Sequence, residues 1–280
     1  MRKLASALMT HSAAMTSRPQ RLSSSPCVAW APVFGVFTDI DDTLTQDGAI
    51  ERAALEALLA LQAHDVPVVA ITGRPLGWSE PFAHAWPVAA IVPENGAVAL
   101  IRDGEHVVTE YAQDETTRTR NAQRLREVAA RVLREVPGAT LARDSAGRVT
   151  DIAVDHSEFA RLNDATIEHV VALMREEGMT ATVSSIHING WFGDHDKLSG
   201  ARWMAQRLFH RELDAERWVY VGDSTNDQAM FGHFALSVGV ANLRRFADQL
   251  ETWPAYITDG ERGAGFAEVA QCVLDARPPR

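Results

Sequence analysis

Cysteine is scarce in this chain. Only Cys27 and Cys272 occur among 280 residues, and neither sits in a CxxC or CxxH array. That argues against a disulfide scaffold and a cysteine-based zinc site, and it fits a reducing cytoplasm. Long apolar runs are also missing. No stretch reaches the roughly 18 residues of a membrane-spanning helix, so no membrane partner is expected. A basic surplus is absent too: the formal net charge is −10. A nucleic-acid backbone needs a basic footprint, so nucleic acid is not expected as a partner. No low-complexity linker or tandem repeat divides the chain. The first 32 residues hold no acidic side chain at all. Arg2-Lys3 and the apolar Leu4 to Met9 imitate a signal-peptide start, but Thr10-His11-Ser12 break the run. Residues 1–32 are therefore expected to be a disordered extension, with Met15 as an alternative start.

What is present is carboxylate at the ends of apolar strands. Val33 to Phe37 reads as a short buried strand, and Asp39-Ile40-Asp41-Asp42-Thr43 follow it. In open α/β sheets ligands bind at that end of the strand. Like charges so close together repel, and a divalent cation with hard oxygen ligands, such as Mg²⁺, is the natural reason to gather them. An Asp backed by a second Asp can also act as a nucleophile. Val66 to Ile71 is another strand, ending in Thr72-Gly73-Arg74, where a hydroxyl and freed amides can bind a phosphoryl oxygen. Trp218 to Val221 leads into Gly222-Asp223-Ser224-Thr225-Asn226-Asp227. Asp and Thr are ordinary turn residues, and Ser224 or Thr225 could simply cap a helix. Neither reading accounts for carboxylates at both 223 and 227. Lys197 opens an amphipathic stretch upstream, where a lone Lys is normally a solvated charge.

These four motifs, in this order, resemble the haloacid dehalogenase superfamily of phosphotransferases. The resemblance spans roughly residues 33–270. Pro93-Glu94-Asn95-Gly96-Ala97 is similar to a segment of the sugar-phosphatase-like branch with a large α+β cap, the sucrose-phosphatase and Cof-like type. Two departures stand out: Asp42 occupies a position where many members carry Gly, and Lys197 is followed by Leu198-Ser199-Gly200 rather than directly by Gly.

Strands alternating with helices argue a doubly wound, Rossmann-like parallel sheet. Ile50 to His64 reads as a crossover helix, and Val98–Ile101 with His106–Val108 as a hairpin. Between about 103 and 190 the order becomes helix, strand, strand, repeated. Asp114 to Val136 has Leu125, Val128, Ala129, Val132 and Leu133 on one face, and Asn163 to Glu177 is the second helix. The expected plan is an α/β core over 33–102 and 191–276, with an inserted α+β cap over 103–190. Arg277 to Arg280 is expected to fray.

The resemblance implies a phosphatase that uses Mg²⁺. Its metal ligands would be Asp39, the Asp41 carbonyl, Asp223 and Asp227, the last directly or through water. Asp39 would be the nucleophile and Asp41 the general acid–base. Thr72, Gly73, Lys197 and Asn226 would hold the phosphoryl group. Acid at position 41 speaks against carbon–halogen cleavage, which needs no proton on its leaving group. The cap would select a small phosphorylated metabolite, such as a sugar or polyol. Candidate substrate contacts are Arg74, Glu94, Asn95, His187 and Asn189, with Trp191, Asp194 and His195 near the cap's return to the core. Each His could equally be a hydrogen-bonded hinge residue. A phosphosugar mutase, with Arg143 and Arg148 as phosphate ligands, and a phosphate-receiver module remain alternatives. The exact substrate and the oligomeric state are not legible.

Overall fold

In the computed structural model, residues 18–277 are described. β1 is Gln20–Arg21 and β2 is Gly35–Thr38. Every residue of β2 is buried, as suits a strand with neighbours on both edges and helices on both faces. A small hairpin, β3 (Thr45–Gln46) and β4 (Ala49–Ile50), follows the first acidic turn. α1 (Arg52–Ala63) turns Ala54, Ala57, Leu58 and Leu61 inward, one stripe of three- and four-residue spacing. β5 (Val68–Ile71), α2 (Leu76–Ala85) and β6 (Ala90–Val92) continue the alternation. β7 (Val98–Asp103) and β8 (His106–Tyr111) close this stretch as an antiparallel hairpin.

The next part of the chain builds a second unit. It comprises α3 (Glu115–Glu135), β9 (Thr140–Leu141), β10 (Asp151–Asp155), α4 (Asp164–Glu176), β11 (Thr180–Val183) and β12 (His187–Trp191). The Asp114 and Asn163 side chains cap the two helices by accepting from the amides of Thr117 and Thr166. The return runs through α5 (Lys197–Phe209), β13 (Trp218–Gly222), α6 (Gln228–His233), β14 (Leu236–Gly239), β15 (Tyr256–Ile257) and α7 (Arg262–Asp275).

The main sheet has the order β1-β15-β14-β13-β2-β5-β6-β7-β8. Pairing is parallel from β1 through β6 and antiparallel beyond. One face packs Leu58 and Leu61 of α1 with Phe266 and Val269 of α7. The other packs Met204 of α5 and Phe231 of α6 against Phe37 and Trp218. The second sheet, β11-β12-β10-β9, is antiparallel. Its own core joins Val128 and Val132 of α3, Val170 and Met174 of α4, and Ile152, Val154 and Ile188 from the strands. The fold is thus a Rossmann-like α/β core with an inserted α+β unit.

Three details differ from expectation. The insertion was expected to begin at 103, yet β8 pairs with β7 and extends the main sheet to Tyr111. Leu133, expected on the packed face of α3, is 45% exposed. Residues 18–32 were expected to be disordered, but β1 pairs with β15, and Leu22 and Trp30 are buried in the main core. Two buried apolar side chains anchor the segment. Residues 1–17, with Met15, and the tail 278–280 lie outside the described residues. Among the described residues no helix is long and apolar enough to cross a membrane.

Candidate active site

β2 and β13 are parallel neighbours, with Thr38 opposite Val221. Asp39 and Asp223 therefore leave adjacent strands at their carboxyl ends, and the Asp39 amide donates to the Val221 carbonyl at 2.8 Å. One carboxylate oxygen from each of Asp39, Asp223 and Asp227 lies within 4.8 Å of the other two, and all three residues are buried. Lys197, the first residue of α5, reaches in from the side. Its Nζ donates to Asp39 Oδ1 at 2.5 Å and to Asp227 Oδ1 at 2.7 Å, with Asn226 Oδ1 at 3.5 Å.

The three carboxylates are used differently. Asp227 is saturated. Oδ1 accepts from Lys197 and from the Tyr220 hydroxyl, and Oδ2 accepts from the amides of Asp223 and Ser224 at 2.9 and 3.1 Å. Gly222 makes room for this: a Cβ there would lie 2.5 Å from Asp227 Oδ2. Asp227 thus shapes the turn and steadies the lysine. Asp223 is held only on one oxygen, Oδ2, by Asn242 Nδ2 at 3.2 Å and Arg245 at 3.4 Å. Its Oδ1 is buried and has no hydrogen-bond partner among the described residues.

The local charge is lopsided. Burial pushes the Asp39 carboxyl up to about 7 against the pull of Lys197, with Asp227 and Asp41 adding to the rise. Burial, Asp39, Asp227 and Asp42 likewise drive Asp223 well up, and Arg245 opposes them. Burial would lower Lys197, but Asp227 and Asp39 outweigh it and raise it. Three buried carboxylates against one ammonium are costly without further positive charge. A hard divalent cation fits the all-oxygen donor set and the partnerless Asp223 Oδ1.

Lys197 owes its place to two glycines. Gly96 lies at φ +103, and a Cβ there would come within 2.2 Å of the Asp196 carbonyl oxygen. A Cβ on Gly200 would meet the Gly96 Cα at 2.9 Å. The start of α5 thus packs directly on the turn after β6. The Asp196–Ser199 capping box fixes where the helix begins. Gly200, rather than a Gly directly after Lys197, is what this packing needs.

Asp41 faces Thr72 and Arg74 across the strand ends. The Thr72 hydroxyl donates to Asp41 Oδ2 at 3.5 Å and accepts from the Arg74 amide at 3.0 Å. Arg74 is 5% exposed and pairs with Asp41 at 2.9 Å, Glu158 at 2.9 Å and Asp144 at 3.3 Å. Two of those partners belong to the inserted unit. His187 Nε2 meets the other Glu158 oxygen at 2.9 Å. Burial would raise Glu158, but His187 and Arg74 overcome it and lower it to about 2.

A second set of polar groups closes the seam between the two units. Arg148 donates to the Gly73 carbonyl and to Asp151, and Asn189 Nδ2 donates to both at 3.3 Å. Glu94 is fully buried in a left-handed conformation. Its carboxylate accepts from the amides of Leu76, Val149 and Thr150 and from the Thr150 hydroxyl. Asn95 donates its amide to the Thr72 carbonyl.

The predicted residues therefore fall into two groups. Asp39, Asp41, Thr72, Lys197, Asp223, Asn226 and Asp227 converge around one point. Glu94, Asn95, His187 and Asn189 are buried in the seam. They do not line the cavity of about 350 Å³ beside Asp41, whereas Arg74 does. Trp191 and His195 pack on one another, and Trp191 Nε1 donates to the His195 carbonyl. Sequence reasoning missed Glu158, Arg161, Asn242, Arg245 and Arg262. Asn242 and Arg245 follow the end of β14, a main-sheet strand whose carboxyl end points the same way as those of β2 and β13. That placement was the available signal.

Residues 36–129 match the family profile of haloacid dehalogenase-like hydrolases. No curated protein matches the chain by sequence. Solved structures share its fold at low identity. A protein from Thermoplasma acidophilum aligns at TM-score 0.68 and 13% identity, over 86% of this chain and 98% of its own. A HAD/COF-like hydrolase from Plasmodium vivax gives 0.66 and 16%, over 90% and 99%. The sucrose-phosphatase of Synechocystis sp. PCC6803, solved with sucrose and phosphate, gives 0.62 and 16%, over 85% and 97%. The four motifs thus sit on a chain whose residues 36–129 are similar to the haloacid dehalogenase-like hydrolases and whose fold these structures share.

Proposed function

We propose that the chain is a Mg²⁺-dependent phosphomonoester hydrolase that works through an aspartyl-phosphate on Asp39 and acts on a phosphorylated sugar or related small metabolite. The observation that carries the reading is the Asp39–Lys197 contact at 2.5 Å beside the partnerless Oδ1 of Asp223. A nucleophile, its counter-charge and an open metal-ligand position meet at one strand end. The sugar-phosphate part draws on the likeness to the sucrose-phosphatase.

Asp39 and Asp223 would hold Mg²⁺, with the Asp41 carbonyl, and Asp227 would steady the turn behind them. When bound, the ion supplies positive charge that lets two anions approach and stabilises the phosphoryl oxygens. Asp39 attacks phosphorus, an O–P bond forms, and the ester O–P bond breaks. Asp41 gives its proton to the departing alkoxide. Arg74 holds Asp41 Oδ1, so Oδ2, beside the Thr72 hydroxyl, is the oxygen that carries the proton. Asp41 then takes a proton from water, which attacks phosphorus and frees phosphate and Asp39. Lys197 stays charged and offsets Asp39 throughout. The inserted unit covers the site and excludes bulk water.

Arg148 bonds Gly73, Asp144 and Asp151, and Arg143 lies over the Phe159 ring. Arg148 is therefore engaged within the seam and not free to act as the phosphate ligand a mutase would need. A receiver module has no use for the second acidic turn. The test is phosphate release from a panel of phosphorylated metabolites with Mg²⁺, comparing wild type with Asp39→Asn. Wild type should release phosphate and the variant should not. Turnover by the variant within about tenfold of wild type would overturn the assignment.

A further inference from the structure

Two cavities open between the core and the inserted unit. The first, of about 350 Å³, lies against Asp41 and Arg74. The second, of about 870 Å³, lies between α4 and β11 on one side and the chain around Asn226 and Phe246 on the other. Four residues line both: Ser157, Arg161, Ser185 and Arg245. The junction of the two spaces therefore presents two guanidiniums and two hydroxyls, and no carboxylate. Asp41, Asp42, Asp47 and Glu158 stand in the wall of the first cavity only, and Asp164 and Glu168 in that of the second only.

Of the two guanidiniums at this junction, Arg245 pairs with Asp42 and Asp223 while Arg161 has no anionic partner among the described residues. Arg161 is exposed and donates only to the backbone carbonyls of Ser157 and Ala160. It forms no ion pair among the described residues. Arg245 shares Asp42 with Arg262, so one carboxylate serves two cations. Its other anionic contact, Asp223, is at 3.4 Å. The scissile phosphoryl group does not require these arginines, because Lys197 and Thr72 already serve it. Arg presents a planar fork of donors that matches a carboxylate or a phosphate, and hydroxyls add neutral donors beside it.

We infer that Arg161, Arg245, Ser157 and Ser185 bind a second anionic group, a carboxylate or a further phosphate, carried by the leaving group. The preferred substrate is then a phosphomonoester with another negative charge, rather than a neutral sugar phosphate. This deepens the hydrolase reading above and rests on it.

The experiment compares kcat/KM within matched pairs: glycerol phosphate against phosphoglycerate, and fructose monophosphate against fructose bisphosphate. p-Nitrophenyl phosphate serves as an unrelated control. The doubly anionic member of at least one pair should be favoured about tenfold or more, the scale of one charge-assisted contact. Preference in the first pair alone assigns a carboxylate, and in the second alone a further phosphate. Arg161→Gln should cut that preference about tenfold, and Arg161→Lys should retain part of it. Arg161 is exposed, so both variants should fold. Flat ratios in both pairs, or a preference untouched by Arg161→Gln, overturn the inference while turnover of the control leaves the hydrolase reading standing. No turnover of any phosphoester, the control included, overturns both.

Discussion

Two buried ionic regions of this protein, linked through Arg74 and Asp144, are built on opposite principles. Around Asp39, Asp223 and Asp227, three carboxylates face one ammonium, and one carboxylate oxygen has no partner. In the seam around Glu94, Arg148 and Asp151, charge meets charge and the Glu94 carboxylate accepts from four donors. In the first arrangement burial and neighbouring carboxylates raise Asp39 and Asp223; in the second burial raises Asp151 while Arg148 opposes it. The second links two folded units. The unmet atom of the first region is a carboxylate oxygen, which calls for a cation, whereas the second pairs its carboxylates with donors and leaves only Asn95 Nδ2, Arg148 Nε and Asn189 Oδ1 without partners among the described residues.

The sharpest way to break the comparison is to remove charge from the first region. Asp39→Asn should lower kcat by at least about a thousandfold while Tm holds or rises, because a repelling buried charge is gone. Phosphate release and calorimetry read the two effects. A large drop in Tm would mean the carboxylates stabilise the fold, against the contrast drawn here.

The seam should respond the other way. Arg148→Met leaves Asp151 buried without its counter-charge, which typically costs about 3–5 kcal/mol. Burial already lifts Asp151 to about 7 even with Arg148 opposing it. Urea unfolding at neutral pH measures the loss. A change below about 1 kcal/mol would show that the seam is ornamental to stability.

Asn242 sharpens the contrast at a smaller scale. Its Nδ2 bridges the Asp42 carbonyl and Asp223 Oδ2, and its Oδ1 accepts from the Arg262 amide. It acts on Asp223, the proposed metal ligand, rather than on substrate. Asn242→Ala should weaken Mg²⁺ binding about tenfold, as loss of a supporting contact does, read by calorimetry with Mg²⁺ alone. Unchanged affinity would remove Asn242 from the metal-side network.

An effect on stability alone concerns His195, which burial lowers from its ordinary 6.5 to about 4. The unfolded chain takes up this proton first as pH falls. The native state therefore loses stability between 6.5 and 4, by about 2 kcal/mol from pH 7 to pH 5. His195→Asn should flatten that part of the stability–pH curve. An unaltered curve would show that His195 does not contribute to it.

The strand-end motifs were legible because a buried parallel strand reads as an apolar run and its polar terminus stands out. The alternation that gave the doubly wound core and the helix-strand-strand repeat was legible for the same reason. The seam was not. Asn189 reaches Gly73 across 116 positions of sequence and Arg74 reaches Glu158 across 84, and periodicity carries no information about such pairs. Asn242 and Arg245 sit in a stretch of 3-10 turns, Ala241–Gln249, with neither strand nor helix rhythm. β1 has two residues, too few for a pattern, and Leu22 and Trp30, which anchor it, stand in a Ser-rich stretch without apolar periodicity. The β7–β8 hairpin was legible from its two apolar runs and Gly-containing turn, but the insertion was expected to begin at 103, inside that hairpin.

The contact between Gly96 and Gly200 has a consequence for how this protein can vary. The two backbones meet with no clearance for one extra carbon, and Lys197 stands three residues before the second glycine. Alanine at either position would push the start of α5 away from the turn that carries Glu94 and Asn95. The ammonium would move with it, off an oxygen that it now touches at 2.5 Å. Two residues that bear no functional group thus set the manufacturing tolerance of the reacting centre, and the least reactive positions in the chain are among those with the least freedom to change.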